Sequence, residues 1–428
     1  MIELVKKDFK QLGAAPCFIK RLEDKYIKEA TDIQCKVIPR LTAGENIFFT
    51  SATGTGKTFA YLLPLLGKLI QEEDTCNDSD SQRTRGRQGA QGELRFIIIA
   101  PTLELCIQIN SELEFLLEGT NLKSSLLIGS VSIDRQIETL KKTRPDIIVG
   151  NPNRLLVLAK KKIIRFNNLK ALVLDEADRL VSDEMIDETN ELCEIIKRET
   201  KKSGINPILA ACSATMNKKC TEKLFVIYDK HNISFIDSED NEILREKIEH
   251  WAIFSEKRRK DQTLRSLLAA ISGNKSKKKK TSVKALVFTS RGDEAAFVLS
   301  RLQYHHVSSA GLFGKAGKRA LPASERKASL DAFRSGEVNV LVSTDLAARG
   351  LDIPGITHII ALDVPNDSEV YIHRCGRTAR AGKRGIMVTI GDETQMHLLA
   401  AMEKKLKIRV QPKELHYGQV VAPLPIEE

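Results

Sequence analysis

The residues Ser51-Ala-Thr-Gly-Thr-Gly-Lys-Thr58 decide how the first half of the chain reads. They follow a short apolar run, Ile47-Phe48-Phe49, and precede the helix-forming Phe59-Ala-Tyr-Leu-Leu63. A glycine-rich turn between a buried strand and a helix points backbone N–H groups at whatever sits above it, and the helix dipole there favours an anion. In that context the Thr53-Gly54-Thr55-Gly56 turn cradles phosphate oxygens, its glycines allowing close backbone approach. Lys57 brings its charge to the β- and γ-phosphates, and the Thr58 hydroxyl is placed to hold Mg²⁺. Ser51 stands where the strict eight-residue pattern has its first glycine, so the loop needs support from elsewhere in the chain.

That support comes from the pattern around it. Apolar runs rich in Ile, Val and Phe recur at Phe96 to Ala100, Ile147 to Val149, Ala171 to Leu174 and Ile208 to Cys212, separated by helix-length segments. Strands buried on both faces of a parallel sheet read this way. A second series, Ala285 to Phe288, Val338 to Val342, His358 to Leu362 and Ile386 to Ile390, repeats the pattern. The expectation is an α/β protein of two tandem units, each a mostly parallel sheet covered by helices. The polar, acidic Asp237-Ser-Glu-Asp-Asn-Glu242 suits a short linker. The expected domains are therefore residues 1–240, carrying the phosphate loop, and 241–428. Gln71 to Gly92 and the basic Ser272 to Ser282 read as solvated surface insertions.

Two further stretches carry chemistry. Asp175-Glu176-Ala177-Asp178 directly follows the apolar run Ala171 to Leu174. A carboxylate at the C-terminal end of a parallel strand, beside a phosphate loop, is where a second Mg²⁺-holding group is needed, and its neighbour can orient an attacking water. Asp175 is assigned to the metal and Glu176 to the water. In the second unit His373-Arg-Cys-Gly-Arg-Thr-Ala-Arg380 spaces Arg374, Arg377 and Arg380 by three. Phosphoryl transfer needs positive charge at the γ-phosphate, which Arg377 and Arg380 can supply; Arg374 fits either that role or contact with a nucleic-acid backbone.

The 428 residues, 42% hydrophobic and 29% charged, have ordinary globular composition, and the net charge of +11 makes a polyanionic partner plausible. The eight cysteines are scattered, without Cys-x-x-Cys pairs, which suits a reducing compartment and no zinc site. Met1 to Lys10 lacks the apolar core of a signal peptide, and the apolar stretch Tyr61 to Ile70 is interrupted by Pro64, Gly67 and Lys68, so no membrane association is expected.

With these motifs in place the chain closely resembles the DEAD-box ATP-dependent RNA helicases, a superfamily-2 group built from two RecA-like domains, from about Phe9 to about Asp392. The resemblance implies ATP and Mg²⁺ as nucleotide and cofactor and RNA, as single strand and short duplex, as partner. It implies that Gln34 of Ala30-Thr-Asp-Ile-Gln34 reads the adenine edge, that Phe9 stacks near the base, and that Asp352 contacts the ribose. Thr102, Gly129 and Arg154 would line the RNA path in the first unit, Arg326 and Thr344 in the second. Ser213 and Thr215 would couple hydrolysis to strand separation.

The chain departs from the family pattern at several places. Tyr26-Ile27 replaces a Gly-aromatic pair, Ala30 a Pro, Leu103 an Arg, Ser130 a Gly, Asn151 and Asn153 a Thr and a Gly, and Ala323 a Gln. Most of these fall along the RNA path, which points to altered RNA affinity with the ATP chemistry intact. The function implied is RNA-stimulated ATP hydrolysis coupled to local unwinding or remodelling of RNA; an ATP-gated RNA clamp with little unwinding is the alternative. A cytoplasmic, bacterial, monomeric enzyme that depends on protein partners for targeting completes the expectation.

Overall fold

The computed structural model describes residues 7–51, 55–78, 93–214, 218–227, 233–237, 246–273, 283–316, 319–348, 353–379 and 384–423. The chain divides into two compact units, Met1–Ser238 and Glu239–Glu428.

The first unit is built on seven strands: β1 (Asn46–Thr50), β2 (Phe96–Ile99), β3 (Ser124–Leu127), β4 (Ile147–Gly150), β5 (Ala171–Asp175), β6 (Ile208–Ser213) and β7 (Ile233–Asp237). They form one sheet in the order β3-β4-β2-β5-β6-β1-β7, with every pairing parallel. Because side chains alternate along a strand, each apolar run feeds both faces. Ile47 and Phe49 join Phe96 and Ile98 in a core on one face, while Phe48, Ile97 and Ile99 join Leu172 and Leu174 on the other. Full burial of each such side chain contributes roughly 1.5–3 kcal/mol, so two faces of this kind anchor the strand ends firmly.

The second unit repeats the plan with β8 (Ile248–Phe254), β9 (Ala285–Thr289), β10 (Ser309–Leu312), β11 (Lys315–Ala316), β12 (Arg319–Ala320), β13 (Val340–Thr344), β14 (His358–Ala361), β15 (Gly385–Gly391) and β16 (Val410–Pro412). The parallel sheet runs β10-β13-β9-β14-β15-β8-β16, and β11–β12 is a small antiparallel ladder. A second antiparallel hairpin, β17 (Glu414–His416) with β18 (Gln419–Val421), follows, and its Leu415 and Val420 pack against one core. Leu286 and Phe288 face one core, Val287 the other.

Local sequence explains how the helices near the site start. Thr31 caps helix Asp32–Ala43, and its hydroxyl and the Gln34 side chain satisfy each other's backbone N–H groups. Gly44 ends that helix at φ 87°, a left-handed conformation glycine adopts without strain. Helix Lys57–Asp78 runs through Pro64 and onward past Gln71. The expected insertion is therefore helical as far as Asp78. Residues 79–92 lie outside the described set, as do 274–282; Ser272 and Gly273 close helix Lys260–Gly273. Among the described residues no helix is long and apolar enough to cross a membrane.

Candidate nucleotide and RNA site

The phosphate loop is tied to two neighbouring elements and closed by bonds of its own. Ser51 N–H donates to the Ser213 carbonyl at 3.0 Å, joining the loop to the end of β6. The Ser51 and Thr55 hydroxyls pair at 2.5 Å, and Lys57 Nζ donates to the Ser51 carbonyl at 2.5 Å. Ser51 thus closes the turn with its own hydroxyl, a bond the strict pattern's glycine could not make. Gly56 adopts φ 88°, and any Cβ there would collide with the Gln34 side-chain amide. Gln34 Nε2 donates to the Gly56 carbonyl at 3.0 Å, and its Oε1 accepts from Thr31 N–H at 2.9 Å. Gln34 is therefore held against the loop, both ends of its amide engaged. Thr53 and Gly54 lie outside the described residues.

Phe9 is placed differently from the expectation. Its ring is 1% exposed and packs in the first-unit core with Leu12 and Phe18, so no ring face is presented to a base. Tyr26 explains one departure from the family pattern: it sits at φ 59°, a conformation that glycine takes at less cost.

At the end of β5 the Asp175 carboxylate is buried and fully supported. Its Oδ2 accepts from the Tyr61 hydroxyl at 2.9 Å, while Oδ1 accepts from Glu176 N–H at 2.8 Å and from Cys212 Sγ at 3.1 Å. Burial, reinforced by the Asp175 charge, pushes both the Tyr61 phenol and the Cys212 thiol well above their usual pKa, so both stay protonated as donors. Tyr61 lies on the helix that begins at Lys57, three residues after Thr58.

That donor set fits Mg²⁺. The ion takes one or two protein oxygens together with substrate phosphates and waters, whereas a caged metal needs a larger cluster, and none of three or more His, Cys, Asp or Glu exists among the described residues. Glu176 follows at φ 49°, ψ 53°, a left-handed residue between β5 and helix Ala177–Leu180. For a non-glycine residue this costs on the order of 1–2 kcal/mol, and such strain collects at functional sites.

Two of the three segments expected along the RNA path of the first unit, Gly129-Ser130 and Asn151–Arg154, meet through Arg154. Its Nη2 donates to the Gly129 carbonyl and its Nη1 to Gln136 Oε1, both at 3.1 Å, and its backbone N–H donates to Asn151 Oδ1 at 3.4 Å. Asn151 thus works as the cap of helix Pro152–Lys160. Thr102 caps helix Leu103–Leu117 in the same way, its hydroxyl accepting from Leu105 N–H at 3.2 Å. Leu103, at the place of an Arg, packs against the core.

In the second unit Thr344 ends β13 and Ser343 Oγ donates to the Leu312 carbonyl at 2.7 Å. Arg374 resolves the two readings left open for it in favour of neither. Its guanidinium, 1% exposed, is clamped between Asp345, at 2.6 and 2.8 Å, and Asp363, at 2.7 Å to the carboxylate and 2.9 Å to the backbone carbonyl. It fastens helix Ser368–Cys375 to the ends of β13 and β14. Arg377 is buried with its Nε donating to the His373 carbonyl at 3.2 Å, and Arg326 lies in the first turn of helix Ala323–Ser335. Thr215, Asp352 and Arg380 lie outside the described residues. Ser213 ends β6, fully buried.

Sequence reading missed Tyr61, Cys212, Gln136, Asp345 and Asp363 as working parts. Only Tyr61 left a signal, its i,i+3 position from Thr58 on one helix face. The others meet their partners through tertiary contacts of 18 or more residues' separation or, for Asp363, across a loop.

A phosphate loop on one RecA-like sheet and a buried His-Arg helix on a second define a nucleotide-hydrolysing protein of two RecA-like domains. Family comparison agrees at both ends: residues 31–223 match the DEAD/DEAH box helicase model and 259–382 the helicase conserved C-terminal domain. The chain is 32% identical to the DEAD-box ATP-dependent RNA helicase CshC of Bacillus cereus, covering 93% of this chain and 91% of that protein. It is also 32% identical to CshA of Bacillus subtilis, covering 93% and 72%. A structure of Mss116p bound to single-stranded RNA and AMP-PNP aligns with a TM-score of 0.81 and 26% identity, over 97% of this chain and 81% of that one. The chain belongs to the DEAD-box ATP-dependent RNA helicases and is an ATP-hydrolysing enzyme.

Proposed function

We propose that the chain couples RNA-stimulated ATP hydrolysis to local unwinding or remodelling of RNA, with residues 1–240 as the nucleotide-binding half and 241–428 as the helicase half. The observation that carries this reading is the buried Asp175–Glu176 pair at the end of β5, within one hydrogen bond of the helix that begins at Lys57.

The roles divide as follows. The Thr53–Thr58 loop and Lys57 hold the phosphates, Gln34 the adenine edge and Asp352 the ribose, while Thr58 and Asp175 hold Mg²⁺. When bound, the ion neutralises charge on the β- and γ-phosphate oxygens. Glu176 orients and deprotonates the attacking water, and Arg377 and Arg380 stabilise the charge that develops on the γ-phosphate. The engaged Gln34 amide supports its role by fixing one orientation toward the loop. Phe9 is not retained as a stacking platform, because its ring is in the core.

RNA runs along Thr102, Gly129 and Arg154, then Arg326 and Thr344. Ser213, bonded through its carbonyl to the loop residue Ser51, and Thr215 pass the nucleotide state to that path. The Mss116p complex with single-stranded RNA and AMP-PNP supports RNA and an ATP analogue as the ligand classes. We place the enzyme in the cytoplasm, as a monomer that meets its RNA through protein partners.

The test is Glu176→Gln. Nucleotide and RNA affinity, measured by fluorescence anisotropy, should stay within about twofold of the wild type while ATP turnover falls at least 10²-fold, in the range set by losing a general base. Retained turnover would remove Glu176 from the role assigned to it.

A further inference from the structure

We propose that Tyr61 is a positioning residue for Asp175, its hydroxyl fixing one oxygen of the carboxylate, with Cys212 as a second support on the other. The inference rests on the reading of Asp175 as an Mg²⁺-holding group. Tyr61 donates its proton to Asp175 Oδ2 at 2.9 Å. Its ring stands one turn after Thr58 on the helix that begins at Lys57, so the support of the carboxylate is built into the helix that carries the phosphate-loop lysine.

The carboxylate has about four lone-pair directions, of which three are taken: Tyr61 on Oδ2, and Glu176 N–H and Cys212 Sγ on Oδ1. The remaining direction is the one left for the ion or its water. The buried carboxylate is held at both oxygens, which blocks its rotation. Tyr61 is itself completely buried in the first-unit core, which fixes its ring. Partners that orient a metal ligand without touching the metal commonly change metal affinity by 10–100-fold when removed.

Tyr61→Phe keeps the ring and deletes the hydrogen bond to Asp175. Two titrations decide the matter: the Mg²⁺ dependence of ATP turnover, and the affinity of a fluorescent ADP measured in EDTA and across a Mg²⁺ series. The expected result is a three- to tenfold rise in the Mg²⁺ concentration giving half-maximal turnover, and a similar loss in the Mg²⁺-linked gain in ADP affinity. ADP affinity in EDTA should stay within twofold. A merely structural residue would move the EDTA value and the thermal midpoint instead.

Asp175→Asn is the reference for the underlying reading. If it leaves the Mg²⁺ linkage of ADP binding unchanged, Asp175 is not a metal-holding group and the inference falls with it. If Asp175→Asn abolishes the linkage while Tyr61→Phe matches the wild type, the positioning role alone is overturned. Should Tyr61→Phe lose its fold by circular dichroism, Cys212→Ala carries the prediction in weaker form, a twofold to threefold shift in Mg²⁺ dependence, and no shift there overturns it.

Discussion

Arg374 shows how a residue's neighbours decide its work. Three residues before Arg377 and six before Arg380, it has the charge and reach to meet a phosphate, yet Asp345 and Asp363 take most of its donors and leave it 1% exposed. A buried charge left without its partner is more costly than the pair itself is favourable. Arg374→Ala leaves Asp345 and Asp363 facing each other without the cation and should destabilise the second unit by roughly 3–5 kcal/mol. The first unit should melt unchanged, which a two-transition denaturant titration would register. A single cooperative loss, or no loss, would contradict the clamp. The contrast with Glu176 is instructive: one residue is spent on holding the fold, the other sits in a strained left-handed conformation that only its surroundings maintain.

At the scale of elements, central strands were legible and edge strands were not. Every apolar run read from the sequence is a strand, because strands paired on both sides and covered on both faces need uninterrupted apolar side chains. The strands that went unread include the edges of both sheets, β3, β7, β10 and β16. Edge strands are paired on one side only, so Ser124-Ser-Leu-Leu127 and Ser309-Ala-Gly-Leu312 can include small and polar residues. β8 was missed for a related reason: His250 is a buried polar residue, made acceptable by its 2.9 Å hydrogen bond to the Tyr371 hydroxyl, and it interrupts the run. The site was legible wherever a motif puts its residues close in sequence. It was not legible where Tyr61, Cys212 and Gln136 reach their partners through the fold.

β14 carries a pH dependence of its own. Burial lowers the His358 pKa from 6.5 to about 4, and its Nδ1 lies 2.8 Å from the Thr357 hydroxyl. Between those values the unfolded chain binds a proton that the folded chain excludes, so stability falls as pH drops from about 6.5 to about 4 and levels off below. The full effect is on the order of 3 kcal/mol. His358→Gln should flatten that part of the stability profile of the second unit, measured by denaturant titration at stepped pH; an unchanged slope would assign the acid sensitivity elsewhere.

For the whole molecule, two RecA-like sheets of the same strand plan carry different equipment. The first holds the loop, Gln34, Thr58 and the acidic pair, and the second holds Arg377 beside its clamped neighbour Arg374. The net charge of +11 suits a polyanionic partner, whose binding should weaken with salt as counterions are released. Of the groups expected at the nucleotide, Gln34, Thr55 to Thr58, Asp175, Glu176 and Arg377 lie among the described residues, while Thr53, Gly54, Asp352 and Arg380 lie outside them. The changes at Leu103, Ser130, Asn151 and Asn153 fall on the RNA path we propose, where Arg154 bonds to Gln136 and Gly129.

The measurement that tests the account most directly is steady-state ATP turnover with no nucleic acid, with single-stranded RNA, and with DNA of the same sequence, for the wild type and Glu176→Gln. RNA should raise wild-type turnover at least tenfold, DNA lacking the 2′-hydroxyl should raise it far less, and Glu176→Gln should stay at background in all three. Turnover in the wild type that is indifferent to RNA would contradict the account.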